Sequence, residues 1–483
     1  MNRSRAFFTL TTFLIISSNG LATRSANTPN GSKKFGEAVR LLETWIGSVL
    51  DFDRLPGMSM AVVHDQEIVY AKGFGYADVS KRIRAVPETD YSICSLSKMF
   101  TALAIMQLRD EGKLHLDDPV DQYLPWFRPK IPDPNPTLPT VRDLLRHSGG
   151  LPCEPDKTIW PDTADLFPCS ECLIERVKYL EMNCPAGTKY NYSNLGYALL
   201  GAVVSTLSKV DYKDYIRKNI LEPLKLENTT PDYIDYHNTK NMAVGYSRKL
   251  RKDSRGEVPV FNKNSMTPAM GLSSNVMDLA EFAMWQFRVL DGKESNGLKK
   301  ETLQEMHTAQ WSDPDWGLGF AIWKMFGKTF VGHQGGCPGY KSQIIIQPEE
   351  KIAVVVIVNA SDAPQFTLAF AAYNIFSSVF ASSNSEKDEM EFGKWEDYVG
   401  YYDADISWAA AEVLEWNGSL SVMWLPADGP LNSLIKLQHI EDGIFRQVNS
   451  DGTLGKHYIF GTVDGSGDMW MKFNNNQLKK AIR

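Results

Sequence analysis

No apolar run in this sequence reaches the roughly 20 residues that a membrane-spanning helix needs; the best candidate, Ala6 to Ile16, is too short. Basic residues are not in excess. Lys and Arg number 51 against 58 Asp and Glu, a net charge of −7. No broad basic surface follows, so nucleic acid is not expected as a partner. Histidine is sparse, and His64, His115, His147, His237, His307, His333, His439 and His457 form no ligand-spaced cluster. No His-Glu-x-x-His occurs either, so no metal is expected. A Gly-x-Ser-x-Gly elbow is also missing. Gly327-Lys328-Thr329 ends like a phosphate loop, but Ile322 stands where the opening glycine is required. Gly73-Phe74-Gly75 reads as a simple turn after a strand. No cofactor is therefore expected. Repeats and low-complexity tracts are lacking, which excludes fibrous and coiled-coil classes.

What is present is the material of a large globular chain. At 483 residues it is long enough for two to four domains. Hydrophobic residues make up 43%, enough for a sizeable core and too many for a disordered chain. Arg3 and Arg5 precede the apolar stretch, and small residues end it at Gly20-Leu21-Ala22, the layout of a secretory signal peptide over 1–22. Cleavage there leaves 49 basic against 58 acidic residues, a net charge of −9. The sequons at Asn30, Asn228, Asn359 and Asn417 fit a glycosylated, secreted or lumenal protein. Asn191 begins another, inside a motif expected to be inaccessible. Four of the six cysteines (Cys153, Cys169, Cys172, Cys184) fall in one Pro- and Asp-rich stretch, where one or two disulfides are expected without a defined pairing. A zinc site is the rival reading, but Cys169-x-x-Cys172 has no second half.

Hydrophobic spacing maps the chain. Lys34 to Leu50 has helical periodicity. Met58 to Val63 and Glu67 to Tyr70 form a hairpin pattern around His64-Asp65-Gln66. Ser97 to Leu108 is apolar nearly all round and ends at Gly112, the pattern of a buried helix. A helical region with Pro-rich loops fills about 115 to 300. Strands return at 317–323, 329–333, 341–347 and 352–358, and Leu368 to Phe380 reads as a closing helix. Strands at both ends around a helical middle imply one sheet with an inserted helical subdomain, an α/β (α+β) fold. This gives a mixed helix and strand domain over 34–381, a polar linker over 382–391, and an all-β domain over 392–483, a small barrel or sandwich.

Three motifs carry chemistry. Ser95-Leu96-Ser97-Lys98 is a Ser-x-x-Lys tetrad. The pattern alone is weak, since Ser433-Leu434-Ile435-Lys436 repeats it in a strand-like stretch. Ser95, however, opens the buried helix, so Ser95 and Lys98 fall one turn apart on one face. The helix start offers backbone donors to an oxyanion, and burial should lower the Lys98 pKa. A lysine in an otherwise apolar helix needs a reason. The plainer reading of Ser95 is a cap. The second motif, Tyr192-Ser193-Asn194, precedes an apolar helix; it can supply a phenol and an amide, or simply an N-cap with packed aromatics. The third, His333-Gln334-Gly335-Gly336, sits in a glycine-dense strand end against which a substrate can lie, although a buried turn histidine is the plainer reading.

Together these motifs resemble the serine β-lactamase and penicillin-binding-protein superfamily, closest to the class C β-lactamase and esterase branch, where Tyr-x-Asn takes second place. Tyr192 follows Ser95 by 97 residues and His333 follows Tyr192 by 141, in the family's order. Asp118-Pro119-Val120, Thr140 to Leu145, Ser148 to Leu151 and Gly271 to Ser274 are similar as well. The likeness covers roughly 35 to 380 and implies a β-lactamase/transpeptidase-like antiparallel sheet with flanking helices. It implies Ser95 as the acylated nucleophile, Lys98 and Tyr192 as the shared general base, and Asn194 as a substrate-orienting amide. It further implies His333, Gln334 and Gly335 as the substrate-binding strand, and the backbone N–H groups of Ser95 and Gly336 as oxyanion hole. His333 and Gln334 depart from the usual Lys and Thr, which weakens the fixed positive charge and points to esters or neutral amides. Cys94 and Cys337 flank the oxyanion donors and read as small core residues, with a disulfide as the lesser alternative. The β-domain resembles the lipocalin-like C-terminal domains of some members and is expected as a cover for the cleft.

The function so implied is a secreted serine hydrolase acting on small-molecule esters, amides or peptides, including those with a D-residue. An acyltransferase using the same acyl-enzyme, and a catalytically idle binding or assembly protein, are the alternatives. Oligomers are compatible with all three.

Overall fold

The computed structural model describes residues 33–131, 137–155, 167–232, 241–250, 254–259, 261–382, 395–403, 410–463, 466–474 and 476–481. The expected leader, the Asn30 sequon and nearly all of the expected linker lie outside them.

Nine antiparallel strands form the main sheet. Their spatial order is Ile83–Arg84, Glu67–Asp78, Gly57–His64, Ile352–Val358, Tyr340–Gln347, Lys328–Cys337, Ala321–Met325, Asp315–Trp316 and Trp311–Ser312. Both ends of this first domain thus share one sheet, and the helical region between Arg84 and Trp311 is inserted. The central strand Ile352–Val358 is buried at every position. That fits its wholly apolar run, β-branched except at Ala353, because both faces of the sheet are covered. Side chains alternate between two cores. Met58, Met60, Val354 and Val356 pack with the first helix, Lys33–Asp53, and the last, Gln365–Ser382. Ala61, Val63, Val355 and Ile357 pack with the helices Ser97–Asp110, Asn194–Ser208 and Val276–Leu290. The period of two is what a sheet between two helical layers requires.

Two expectations shift here. The strand expected over 317–323 runs over Ala321–Met325, because Gly319 adopts φ +83 and the chain turns before it. Gly73-Phe74-Gly75 is not a turn; it lies inside the strand Glu67–Asp78, and a Cβ on Gly73 would meet the Ala85 carbonyl oxygen at 2.1 Å.

Eight further strands, from Gly400 to Ala481, close into a barrel. Its interior is filled by side chains including Tyr402, Val413, Val422, Phe445, Tyr458 and Phe460. Ser433 and Lys436, the decoy tetrad, fall at and in the strand Leu434–Glu441, where positions three apart face opposite sides. The barrel packs on the back of the first domain. Ala410, Leu414, Met423 and Leu425 share a core with Leu41, Trp45 and Phe376. Trp45 Nε1 donates to the Ala427 carbonyl at 2.9 Å, and the Asn417 N–H donates to Glu37 at 3.0 Å. This side of the sheet is opposite the helix Ser97–Asp110, so the barrel does not serve as the expected cover for the cleft.

Two disulfides are present, Cys94–Cys337 and Cys169–Cys172, while Cys153 and Cys184 are thiols. Cys94 and Cys337 are therefore more than core filler. Of the sequons, Asn228 and Asn417 are exposed. Asn359 is wholly buried, with its amide donating to the Tyr76, Ala77 and Val244 carbonyls, so the folded chain cannot present it for glycosylation.

Candidate active site

Ser95 lies in a 3-10 turn, Cys94–Leu96, that leads directly into the helix Ser97–Asp110. This helix is buried from Ser97 through Leu108 and stops where Gly112 takes φ +73. Its burial carries Lys98 into the interior with no exposed surface. The ammonium donates to Ser95 Oγ at 3.2 Å, to Asn194 Oδ1 at 2.7 Å and to the Ala269 carbonyl at 2.8 Å. Burial lowers the Lys98 pKa to about 7, against the opposing charge of Glu154. That value makes a lysine a usable proton acceptor near neutrality.

Cys94 adopts φ +51, an uncommon conformation for a residue with a side chain. Three contacts hold that turn. Ser97 Oγ donates to the Cys94 carbonyl at 2.7 Å and accepts from the Leu272 N–H at 3.0 Å. Ser92 pairs with Ser273 in a short two-stranded ladder. The disulfide to Cys337 then ties the residue before Ser95 to the residue after Gly336. Gly271 to Ser274 thus supports the turn that carries Ser95.

Ser193 caps the helix Asn194–Ser208, its Oγ accepting from the Gly196 N–H at 2.9 Å and donating to the Pro152 carbonyl at 2.7 Å. The capping reading is met, and the cap sets the flanking side chains of Tyr192 and Asn194. Tyr192 stands over Lys98, whose Nζ is 4.8 Å from the ring centroid. Burial raises the phenol pKa, while a hydrogen bond with Ser95 works in the other direction. Asn194 is engaged at both ends: Oδ1 accepts from Lys98, and Nδ2 donates to Glu154 at 2.7 Å. The structure thus places it against Lys98, holding the lysine beside Ser95.

His333, on the strand Lys328–Cys337, is 1% exposed. Its Nδ1 donates to the Gln334 carbonyl at 2.6 Å. Burial, then the Lys98 charge, lowers its pKa to about 3, so the imidazole is neutral at physiological pH. Gln334 and Gly336 are exposed on the cleft side, and Gly335 faces inward. A Cβ on Gly335 would meet Ser342 Oγ at 2.1 Å and the Ile93 carbonyl oxygen at 2.5 Å. Only glycine lets this strand lie so close to the Ser95 turn. Ser95, Tyr192, His333, Gln334, Gly335 and Gly336 line one cleft of about 260 Å³.

Several neighbours escaped the sequence reading. His147, just before the Ser148 to Leu151 stretch, accepts from the Ser193 N–H at 3.2 Å and packs 4.2 Å from Tyr192 and 5.0 Å from Trp316. Glu154 and the Ala269 carbonyl complete the lysine's surroundings. Lys341 and Gln365 reach the cleft wall. Their only sequence signal is a polar residue beside a motif stretch or within an apolar strand.

An antiparallel sheet between helical layers, with a Ser-x-x-Lys turn facing a glycine-rich strand, is the β-lactamase/transpeptidase-like fold. The chain belongs to the Beta-lactamase family, which it matches over residues 42–375, more than half its length. It is 28% identical over 331 residues to Protein flp of Staphylococcus aureus strain MW2, covering 67% of this chain and 63% of that protein, less than two thirds of the relative's length. It is 25% identical over 366 residues to a putative D-alanyl-D-alanine carboxypeptidase of Escherichia coli O157:H7, covering 68% of this chain and 83% of that one. The octameric penicillin-binding protein homologue of Pyrococcus abyssi superposes with a TM-score of 0.62 at 27% identity, over 92% of this chain and all of that one. A D-stereospecific amidohydrolase of a Streptomyces species shares the fold, with a TM-score of 0.58 at 23% identity over 70% and 97% of the two chains.

Proposed function

We propose that this protein is a serine hydrolase that acylates Ser95 and acts on esters or small amides, including peptides with a D-residue. The carrying observation is Lys98, an amine buried completely and donating to the Ser95 hydroxyl at 3.2 Å, with its pKa brought to about 7. In its neutral form the amine takes the Ser95 proton as Oγ bonds to the substrate carbonyl carbon. The oxyanion lies against the Ser95 and Gly336 N–H groups, each worth roughly 3–4 kcal/mol in comparable sites. Burial keeps Tyr192 protonated, so the phenol passes the proton from Lys98 to the leaving oxygen or nitrogen as that bond breaks. Water then attacks the acyl-enzyme, gives a proton to the same pair, and Ser95 recovers its hydrogen. Asn194 and Glu154 hold Lys98 in place through both steps. The carboxypeptidase relative supports an acyl-transfer reaction of this kind. The expected leader and the two disulfides support secretion into an oxidising compartment.

The test is labelling with a fluorophosphonate and with a fluorescent penicillin, followed by mapping of the adduct. Labelling of Ser95 by the phosphonate, lost in Ser95→Ala, is expected. Labelling by the penicillin as well identifies an amide or lactam enzyme. No adduct on a folded protein contradicts the reading.

A further inference from the structure

We infer that Lys341 makes this cleft a receptor for a carboxylate close to the scissile carbonyl; the inference rests on the acyl-enzyme reading and names its substrate class. The sequence puts histidine where the third motif usually carries a cation, and the structure shows that histidine buried and neutral. The positive charge is instead supplied one strand away. Lys341 pairs with Gly336 across the neighbouring strands Lys328–Cys337 and Tyr340–Gln347. A Cβ built on Gly336 would lie 2.9 Å from Lys341 Nζ, so the ammonium rests directly over the glycine whose N–H faces the oxyanion.

Three further observations fit this role. The cleft wall, which Lys341 shares with Ser95, Gln334 and Gln365, includes no carboxylate, and Lys341 is its one fully charged side chain among the described residues. No described residue forms an ion pair with Lys341, although it is half-buried. A lysine held on a cleft wall without a counter-ion is poised for an anionic ligand. Gln334 and Gln365 offer neutral amide donors on the same wall, which suits a planar carboxylate with several lone pairs. The absence of a side chain at Gly336 is what leaves the ammonium its place.

The experiment uses two pairs of esters. The first is 3-carboxyphenyl acetate with its methyl ester, which puts the carboxylate on the leaving group. The second is 4-nitrophenyl hydrogen succinate with its methyl ester, which puts it on the acyl group. The expected result is a kcat/KM about tenfold higher for the free acid in at least one pair, as one partly solvated charge-assisted hydrogen bond supplies. That preference should shrink as salt rises. It should fall towards one in Lys341→Ala and Lys341→Gln, survive in Lys341→Arg, and invert in Lys341→Glu. Melting temperatures of the variants separate loss of fold from loss of selectivity. Equal turnover of acid and methyl ester in both pairs, or a preference that Lys341→Ala leaves intact, overturns the inference. Turnover that survives Ser95→Ala is a different result, and it overturns the acyl-enzyme reading itself.

Discussion

Replacing Glu154 with glutamine should move the acid limb of the pH–rate profile to lower pH. The structure links Lys98 Nζ to Glu154 through one amide, with hydrogen bonds of 2.7 Å on each side of Asn194. The two charges are then no more than about 8 Å apart, worth roughly 2 kcal/mol at an effective dielectric of about 20. That is about 1.5 pKa units, and the partial exposure of Glu154 reduces it to about one. The sign follows from the charge. The carboxylate stabilises the ammonium, so it raises the Lys98 pKa against the lowering by burial. Glutamine keeps an oxygen for the Asn194 amide and removes the charge, so the amine loses its proton more readily. In the wild type, kcat/KM should rise with pH through about 7 as the free base forms. In Glu154→Gln the same rise should be centred about one unit lower, and the variant should outperform the wild type near pH 6 relative to each protein's plateau. The assay is kcat/KM for a neutral ester between pH 5 and 9. An unmoved limb, or one displaced upwards, would refute the Lys98–Asn194–Glu154 linkage.

Gly335→Ala should cost activity more than 100-fold, since its methyl group meets Ser342 Oγ and the Ile93 carbonyl and must push the strand off the nucleophile turn; steady-state kinetics beside a melting curve reads both effects. Removing the Cys94–Cys337 bridge with a paired serine substitution should destabilise the fold by about 3–5 kcal/mol, because it closes a loop of 243 residues. Denaturant unfolding measures that loss, and kcat should fall more than KM rises if the bridge also holds the oxyanion donors together. Trp45→Phe should weaken docking of the barrel by about 1 kcal/mol through the lost bond to Ala427 and leave ester turnover unaltered, since the barrel sits behind the sheet; limited proteolysis at the barrel and an ester assay test the two halves.

Much of this arrangement was legible in the sequence where local pattern and tertiary role coincide. The Ser97 to Leu108 run declares its burial, and that context separates Ser95-x-x-Lys98 from its copy at Ser433-x-x-Lys436, which falls in a strand. The strand Ile352–Val358 is recognisable because a strand covered on both faces needs no polar alternation. The rest depends on contacts between distant segments. Cys94 and Cys337 are 243 residues apart, and only the pairing of sheet strand with nucleophile turn brings them together. His147 gains its surroundings from Tyr192, Tyr197 and Trp316, three residues on other segments. Glu154 joins the site through Asn194, 40 residues away in sequence. The position of the barrel is likewise set by a shared core with the first and last helices of the catalytic domain, and nothing in the barrel's own alternation names the face it meets. Lys341 is the single charged residue of the strand Tyr340–Gln347, a signal without direction until the register with Gly336 is known.

The most direct measurement is the rate and position of acylation in the wild type and in Lys98→Met, followed by rapid quenching of an activated ester reaction and peptide mass analysis. The account predicts an acyl group on Ser95 and a rate at least 100-fold slower in the variant, as loss of a positioned base entails. Acylation of another residue, or an undiminished rate without the lysine amine, would contradict it.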